Sequence, residues 1–119
     1  MAKRSVGLRL TDILTAIGEA EQILDGADFG AYEADVGKRR GVERCLEIIS
    51  EASRFLPEEL KQKHPDIPWP EIRGMGNHLR HGYQRISDHI IWRAAAKDLA
   101  TLKPATEKLL SELDDPPST

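Results

Sequence analysis

Two arginines, two histidines, an asparagine and a tyrosine fall within the eleven residues from Arg73 to Tyr83. Arginine offers a planar fork of donors that matches phosphate oxygens and stays charged at any physiological pH. Histidine moves a proton near neutrality. Together they suit a phosphodiester. RNA asks for little more, because its own 2′-OH can attack the adjacent phosphate. A protein then has to position the strand, stabilise the charge that develops and shuttle protons, and that chemistry requires no metal. His78 and His81 are three apart and His89 lies nearby, but no cysteine or acid joins them in a zinc-type spacing. We therefore expect no metal and no cofactor. A histidine and two arginines on one helix face also occur on surfaces that do no chemistry, so composition alone does not decide the matter.

These residues need a helix to bring them together. Over residues 70–82, a period of 3.6 puts Ile72, Met75, Leu79 and Tyr83 on a buried stripe and Arg73, Asn77, Arg80 and His81 on another face. Gly76 lies near the border and leaves room for a neighbouring backbone. The helix is expected to begin at Trp69 or Pro70, since proline is tolerated in a first turn, and to end near Gly82.

The rest of the chain reads as amphipathic helix. A first helix is expected from about Leu8 to Leu24, stopped by Asp25-Gly26. The stretch Ala27 to Tyr32 makes a short connection or turn, with Phe29 and Tyr32 packing inward. A longer helix follows from about Asp35 to Leu56. Its stripe is Val42, Cys45, Leu46, Ile49, Ala52 and Leu56, widened by Ile48 and Phe55, and Gly37 and Gly41 weaken its first turns. Its other side, from Lys38 to Glu47, reads as a solvated face with charges three and four apart. Residues 57–70 hold four prolines and form the irregular segment, with a short helix over 58–63 and anchors at Ile67 and Trp69. A turn over 84–87 leads to a last helix from Ser87 or Asp88. There Ile91, Ala95, Leu99, Leu102, Thr106 and Leu109 keep one face across Pro104, where a kink or break is expected. The expected class is all-α: an antiparallel bundle of four to five helices, one domain over residues 1–113 and a disordered tail over 114–119.

Charge narrows the partners. The 119 residues carry 17 Lys and Arg against 20 Asp and Glu, a net charge of -3. Four arginines and two acids lie between Glu71 and Arg93, against 13 bases and 18 acids elsewhere. A locally basic patch on an acidic protein suits a small phosphate-bearing site better than a broad nucleic-acid stripe. The one cysteine, Cys45, permits no disulfide within the chain. Arg9 and Asp12 interrupt any apolar signal core, and no stretch approaches membrane-spanning length. A cytoplasmic protein without membrane association is expected.

The run from Pro68 to Tyr83 (PWPEIRGMGNHLRHGY) and the run from Ile86 to Trp92 (ISDHIIW) resemble the HepT-like toxins of the HEPN (higher eukaryote and prokaryote nucleotide-binding) superfamily. Glu43-Arg44, Glu47-Ile48-Ile49 and Glu51-Ala52 on the long helix also fit, and the likeness runs from about Leu8 to Leu110. The resemblance implies a small HEPN-like helical homodimer. It further implies a metal-independent endoribonuclease, the toxin of a type VII-like toxin–antitoxin pair. The family's mark is an arginine, a few residues, then His-X-Tyr. Carried over, His81 is the proton-transfer residue, Asn77 the polar residue after the motif arginine, and Tyr83 the acceptor of AMP. The implied partner is a minimal nucleotidyltransferase antitoxin, which silences the toxin by that AMP addition. The chain departs from the pattern at Gly76, where many members carry the arginine. Arg73 and Arg80 are the candidates for its charge. The same departure supports an alternative: a catalytically weak or inactive helical subunit that binds its nucleotidyltransferase.

Overall fold

The computed structural model describes the backbone of residues 2–81 and 88–114 and the side chains of residues 6–79 and 88–113. Among them there is no strand. Helix α1 spans Ala2–Leu24, α2 Phe29–Ala34, α3 Val36–Arg54, α4 Glu58–Lys61 and α5 Trp69–His81. Helix α6, Asp88–Arg93, continues through a π-helical turn at Ala94–Asp98 into α7, Leu99–Asp114. The long elements are α1, α3, α5 and the rod formed by α6 and α7, and they build the expected all-α bundle. α1 begins earlier than the apolar pattern suggests, at Ala2 rather than Leu8.

Local chemistry sets the boundaries. Asp25 and Gly26 take positive φ of 48° and 73° and end α1. The Asp28 carboxylate accepts from the Ala31 N–H at 2.9 Å and starts α2, and Asp35 accepts from Lys38 N–H at 3.1 Å and starts α3. Lys38 then returns its Nζ to the Ile23 carbonyl at 2.6 Å. This places a cation on the carbonyl end of α1 and ties the start of α3 to the end of α1. At the other end of the same pair, the Arg9 guanidinium lies 4.1 Å from the centre of the Phe55 ring. The two anchors make α1 and α3 antiparallel. Gly41 permits their approach: a Cβ there would stand 2.8 Å from Ile23 Cδ1.

One buried cluster joins all the long helices. α1 contributes Leu10, Ile13, Ile17 and Leu24, and α3 contributes Val42, Cys45, Leu46, Ile49 and Ala52. Each fully buried Ile or Leu gains about 1.5–3 kcal/mol from leaving water. Tyr32 is buried and Phe29 partly so, as expected. Phe29 packs against His89 and Trp92 with ring centres 4.9 and 6.0 Å away, and the Trp92 indole donates to the Ala27 carbonyl at 3.1 Å.

Three local expectations change. Phe55 does not widen the α3 stripe; it is 52% exposed. It is the C-cap residue, with φ -95° and ψ 2°, so it has left the helix and its direction no longer follows the helical period. Of the kink or break expected at Pro104 the break is excluded, because Pro104 lies inside α7. Pro104 and Ala100, whose carbonyl loses its donor there, are both exposed, so water can serve that carbonyl. The departure from α geometry comes earlier, where Leu99 N–H reaches back to the Ala94 carbonyl. That wide turn buries Ala94 and Ala95 together and keeps Ile91, Leu99, Leu102, Thr106 and Leu109 on the core side. Asp114 closes α7; the expected turn over 84–87 and the tail from 115 on lie outside the described residues.

Candidate functional site

Helix α5 carries the residues singled out above, and α3 positions it. Ile72, Met75 and Leu79 pack on the core, and Gly76 between them is buried. With no side chain at Gly76, the backbones of α5 and α3 can draw close. On α3, Ser50 and Ser53 are buried at 0% and 1% exposure. The Ser50 hydroxyl donates to the Arg73 carbonyl at 3.1 Å, and the Ser53 hydroxyl donates to the Ser50 carbonyl at 2.8 Å. The helix is therefore held in rotation and height at the residue where its polar face begins. Ser50→Ala removes this second bond from the Arg73 carbonyl and orphans nothing. We expect it to cost about 0.5–1.5 kcal/mol, read as a small drop in thermal midpoint; an unchanged midpoint would show that the bond adds no net stability.

The inward set fixes the outward one. Arg73 and Asn77 are exposed, and Asn77 and His81 continue the same row at four-residue steps. Arg80 and His81 are the final two residues of α5 by backbone, and their side chains lie outside the described set. Tyr83 and Gly82 lie outside the described residues altogether. Of the other histidines, His78 is exposed on α5, and His89 is exposed on α6 against Phe29. Among the described residues no three His, Cys, Asp or Glu side chains gather as a metal-holding group. None of the described helices is long and apolar enough to cross a membrane.

Two recesses flank α5. One is a small apolar cavity of about 60 Å³, with Leu46 and Ile49 of α3 below, Ile72 and Met75 of α5 on one side and Leu99 and Leu102 of α7 on the other. The second is a more polar groove of about 260 Å³ between α4 and the start of α5, bordered by Lys61, Gln62, Trp69 and Arg73. Trp69 is nearly buried, and its indole donates to the His64 carbonyl at 3.2 Å, which anchors the Pro-rich segment as expected. Ser50 and this second groove were not anticipated. Ser50 sits four residues after Leu46 on the buried stripe, and that position was the available signal.

Outside α5 the chemistry is quiet. Cys45 is buried, and burial, helped by the Glu19 carboxylate and opposed by Arg44, pushes its thiol above the ordinary range. A thiol so placed is a poor nucleophile. Burial, with Glu43 second, likewise pushes the Tyr32 hydroxyl up. On α3, Arg40–Glu43 and Arg44–Glu47 pair at 3.2 and 3.4 Å, so its charged side is the expected solvated face.

Comparison with known proteins places the chain in a family. The family model described as "Ribonuclease HepT-like" matches residues 13–109. "Probable ribonuclease HepT" of Thermococcus cleftensis is 36% identical over 107 residues, 90% of this chain and 97% of that protein. Two proteins of Methanocaldococcus jannaschii named "Putative RNase" are 29% and 33% identical, covering 97% and 90% of this chain and 99% and 98% of their own lengths. No solved structure matches the chain significantly. With the family pattern spanning α1 to α7 and relatives aligned over nearly their whole lengths, this chain belongs to the HepT-like ribonuclease family.

Proposed function

We propose that this protein acts as one cytoplasmic domain, a metal-independent endoribonuclease, and that it is the toxin of a type VII-like toxin–antitoxin pair. The observation that carries the reading is the α5 row from Arg73 through Asn77 to His81, held on α3 by the Ser50 hydroxyl, in a chain whose relatives are named as ribonucleases. In the reaction the RNA 2′-OH attacks the adjacent phosphorus, the bond from phosphorus to O5′ breaks, and a 2′,3′-cyclic phosphate and a 5′-OH result. His81 moves the proton, Asn77 orients the phosphate, and Arg73 or Arg80 stabilises the charge on its oxygens. One helix supplies one copy of His81. A homodimer about a twofold axis supplies two around one groove, giving base and acid from different subunits. The partly covered Ile72 and Met75 beside the apolar cavity suit such an interface. The test is cleavage of RNA by the purified protein in the presence of a chelator. Cleavage that depends on added metal, or none at all, would count against the reading.

Regulation follows from Tyr83, two residues past His81. In the proposed silencing, the Tyr83 hydroxyl attacks the α-phosphorus of ATP held by a minimal nucleotidyltransferase, and pyrophosphate leaves. The new phosphodiester adds negative charge beside the site that has to hold RNA phosphate. With partner and ATP, the wild-type protein is expected to gain the mass of one AMP and Tyr83→Phe to gain none. An adduct retained by Tyr83→Phe would remove Tyr83 as the acceptor. Gly76 at the usual arginine position favours a second reading, a weak or inactive subunit that binds the nucleotidyltransferase. That reading predicts co-purification with the transferase and no RNA cleavage by the unmodified protein.

A further inference from the structure

Several cations among the described residues have carboxylate partners. Arg40, Arg44 and Arg54 pair with glutamates on their own helix, and Lys63 and Lys103 reach Glu112 and Glu21 at 3.2 and 3.3 Å. Lys38 caps α1, and Arg9 lies over Phe55. Lys61 and Arg73, like the exposed Arg93, Lys97 and Lys108, have no such pair, and what sets these two apart is that they share a groove. Among the described residues neither side chain has a carboxylate within 4.0 Å. Both border the groove of about 260 Å³ between α4 and the first turns of α5. Its single acid, Glu58, leaves the groove with a balance of one positive charge, on a chain whose total is -3.

The groove is also built to keep its shape. Ile67 and Trp69 in its wall are 2% and 8% exposed, and the Trp69 indole is fixed to the His64 carbonyl. Pro65 and Pro70 restrict the backbone on either side. Just past α4, the Lys63–Glu112 pair ties this segment to α7. A preformed groove with two unengaged cations costs little to organise around an anion.

Its place relative to His81 decides what that anion is. Arg73 lies eight residues before His81 on the same helix, about 12 Å along the axis at 1.5 Å per residue. Charges on one stacked nucleic-acid strand repeat about every 3.4 Å. Arg73 and His81 therefore address different phosphates of one strand. We propose that this groove holds a backbone phosphate of single-stranded RNA some positions away from the one that is cleaved, with Lys61 and Arg73 supplying charge and Gln62 a neutral donor. The assignment rests on the ribonuclease reading. It makes Arg73 a substrate-binding residue and leaves Arg80, next to His81, as the arginine of the scissile phosphate.

The test is binding of a short fluorescent single-stranded RNA with 2′-O-methyl riboses, which cannot be cleaved through the 2′-oxygen. Affinity is measured by anisotropy between about 50 and 200 mM salt. Lys61→Gln/Arg73→Gln is compared with Lys97→Gln/Lys108→Gln, which removes the same charge from exposed sites elsewhere. Removing two phosphate contacts is expected to raise Kd about tenfold and to make the salt dependence shallower by about 1.4 in log–log slope. The control pair should stay within about twofold of wild type. If wild type binds and both double variants behave alike, the groove assignment falls, while cleavage of unmodified RNA by wild type keeps the ribonuclease reading. If wild type binds, the groove variant alone weakens and no RNA is cleaved, the groove stands as an RNA-phosphate site, while the ribonuclease reading and the groove's relation to a cleaved phosphate fall. A wild type that neither binds nor cleaves overturns both.

Discussion

His81→Ala is expected to lower the rate of RNA cleavage by about 10²–10⁴-fold, the usual loss when a proton-transfer group is removed. The fold should survive the change, because α5 is held through Ile72, Met75, Gly76 and Leu79. Circular dichroism should therefore match wild type. The comparison that gives the experiment its force is His78→Ala. His78 is exposed on the same helix three residues earlier, outside the row that runs from Arg73 through Asn77 to His81. It should cleave at close to the wild-type rate. An equal loss in both variants would mean that any histidine on this helix matters, and the specific role of His81 would be lost. Equal activity of His81→Ala and wild type would remove His81 from the mechanism outright.

The second large effect concerns what holds α5 in place. Ile49 is 1% exposed on α3, lies in the core and forms part of the floor between α5 and α7. Ile49→Ala deletes buried carbon from a site that already borders a cavity, so collapse around the gap is limited. We expect a loss of about 2–5 kcal/mol. Against a typical domain stability of about 5–15 kcal/mol that is a large fraction. It should appear as a fall of roughly 10–20 °C in the thermal midpoint. Leu8→Ala is the counterpart: the same kind of truncation at a residue 61% exposed, expected to change stability by no more than about 0.5 kcal/mol. If the two variants melt alike, the core described for α3 is wrong.

What the sequence made legible, and what it hid, follows from how far each feature depends on its neighbours in the chain. The stripe of Val42, Cys45, Leu46, Ile49, Ala52 and Leu56 is buried as read, because one helix repeats its own period regardless of the rest of the fold. The same rule misplaced Phe55, because the helix stops at Arg54 and the period stops with it. Arg73 and Asn77 face outward as expected, since Ile72, Met75 and Leu79 take the inward positions. The bond from Ser50 to the Arg73 carbonyl joins residues 23 apart, and a serine inside an apolar stripe does not announce what it will touch. The groove of Lys61 and Arg73 likewise exists only once the Pro-rich segment has folded back on α5. The π-helical turn at Ala94–Asp98 was hidden by its alanines, which suit an α-helix equally well.

The most direct measurement of the central claim is the chemistry of the ends left on cut RNA. The proposed reaction uses the RNA's own 2′-OH, so no water enters the first step and no metal is needed. Wild-type protein in chelator, given a short RNA, should leave 2′,3′-cyclic phosphate on one fragment and 5′-OH on the other, resolved by mass spectrometry. A single 2′-O-methyl group at the cleaved position should abolish the cut there. Fragments ending in 3′-OH and 5′-phosphate, or a cut that survives the 2′-O-methyl group, would contradict the account.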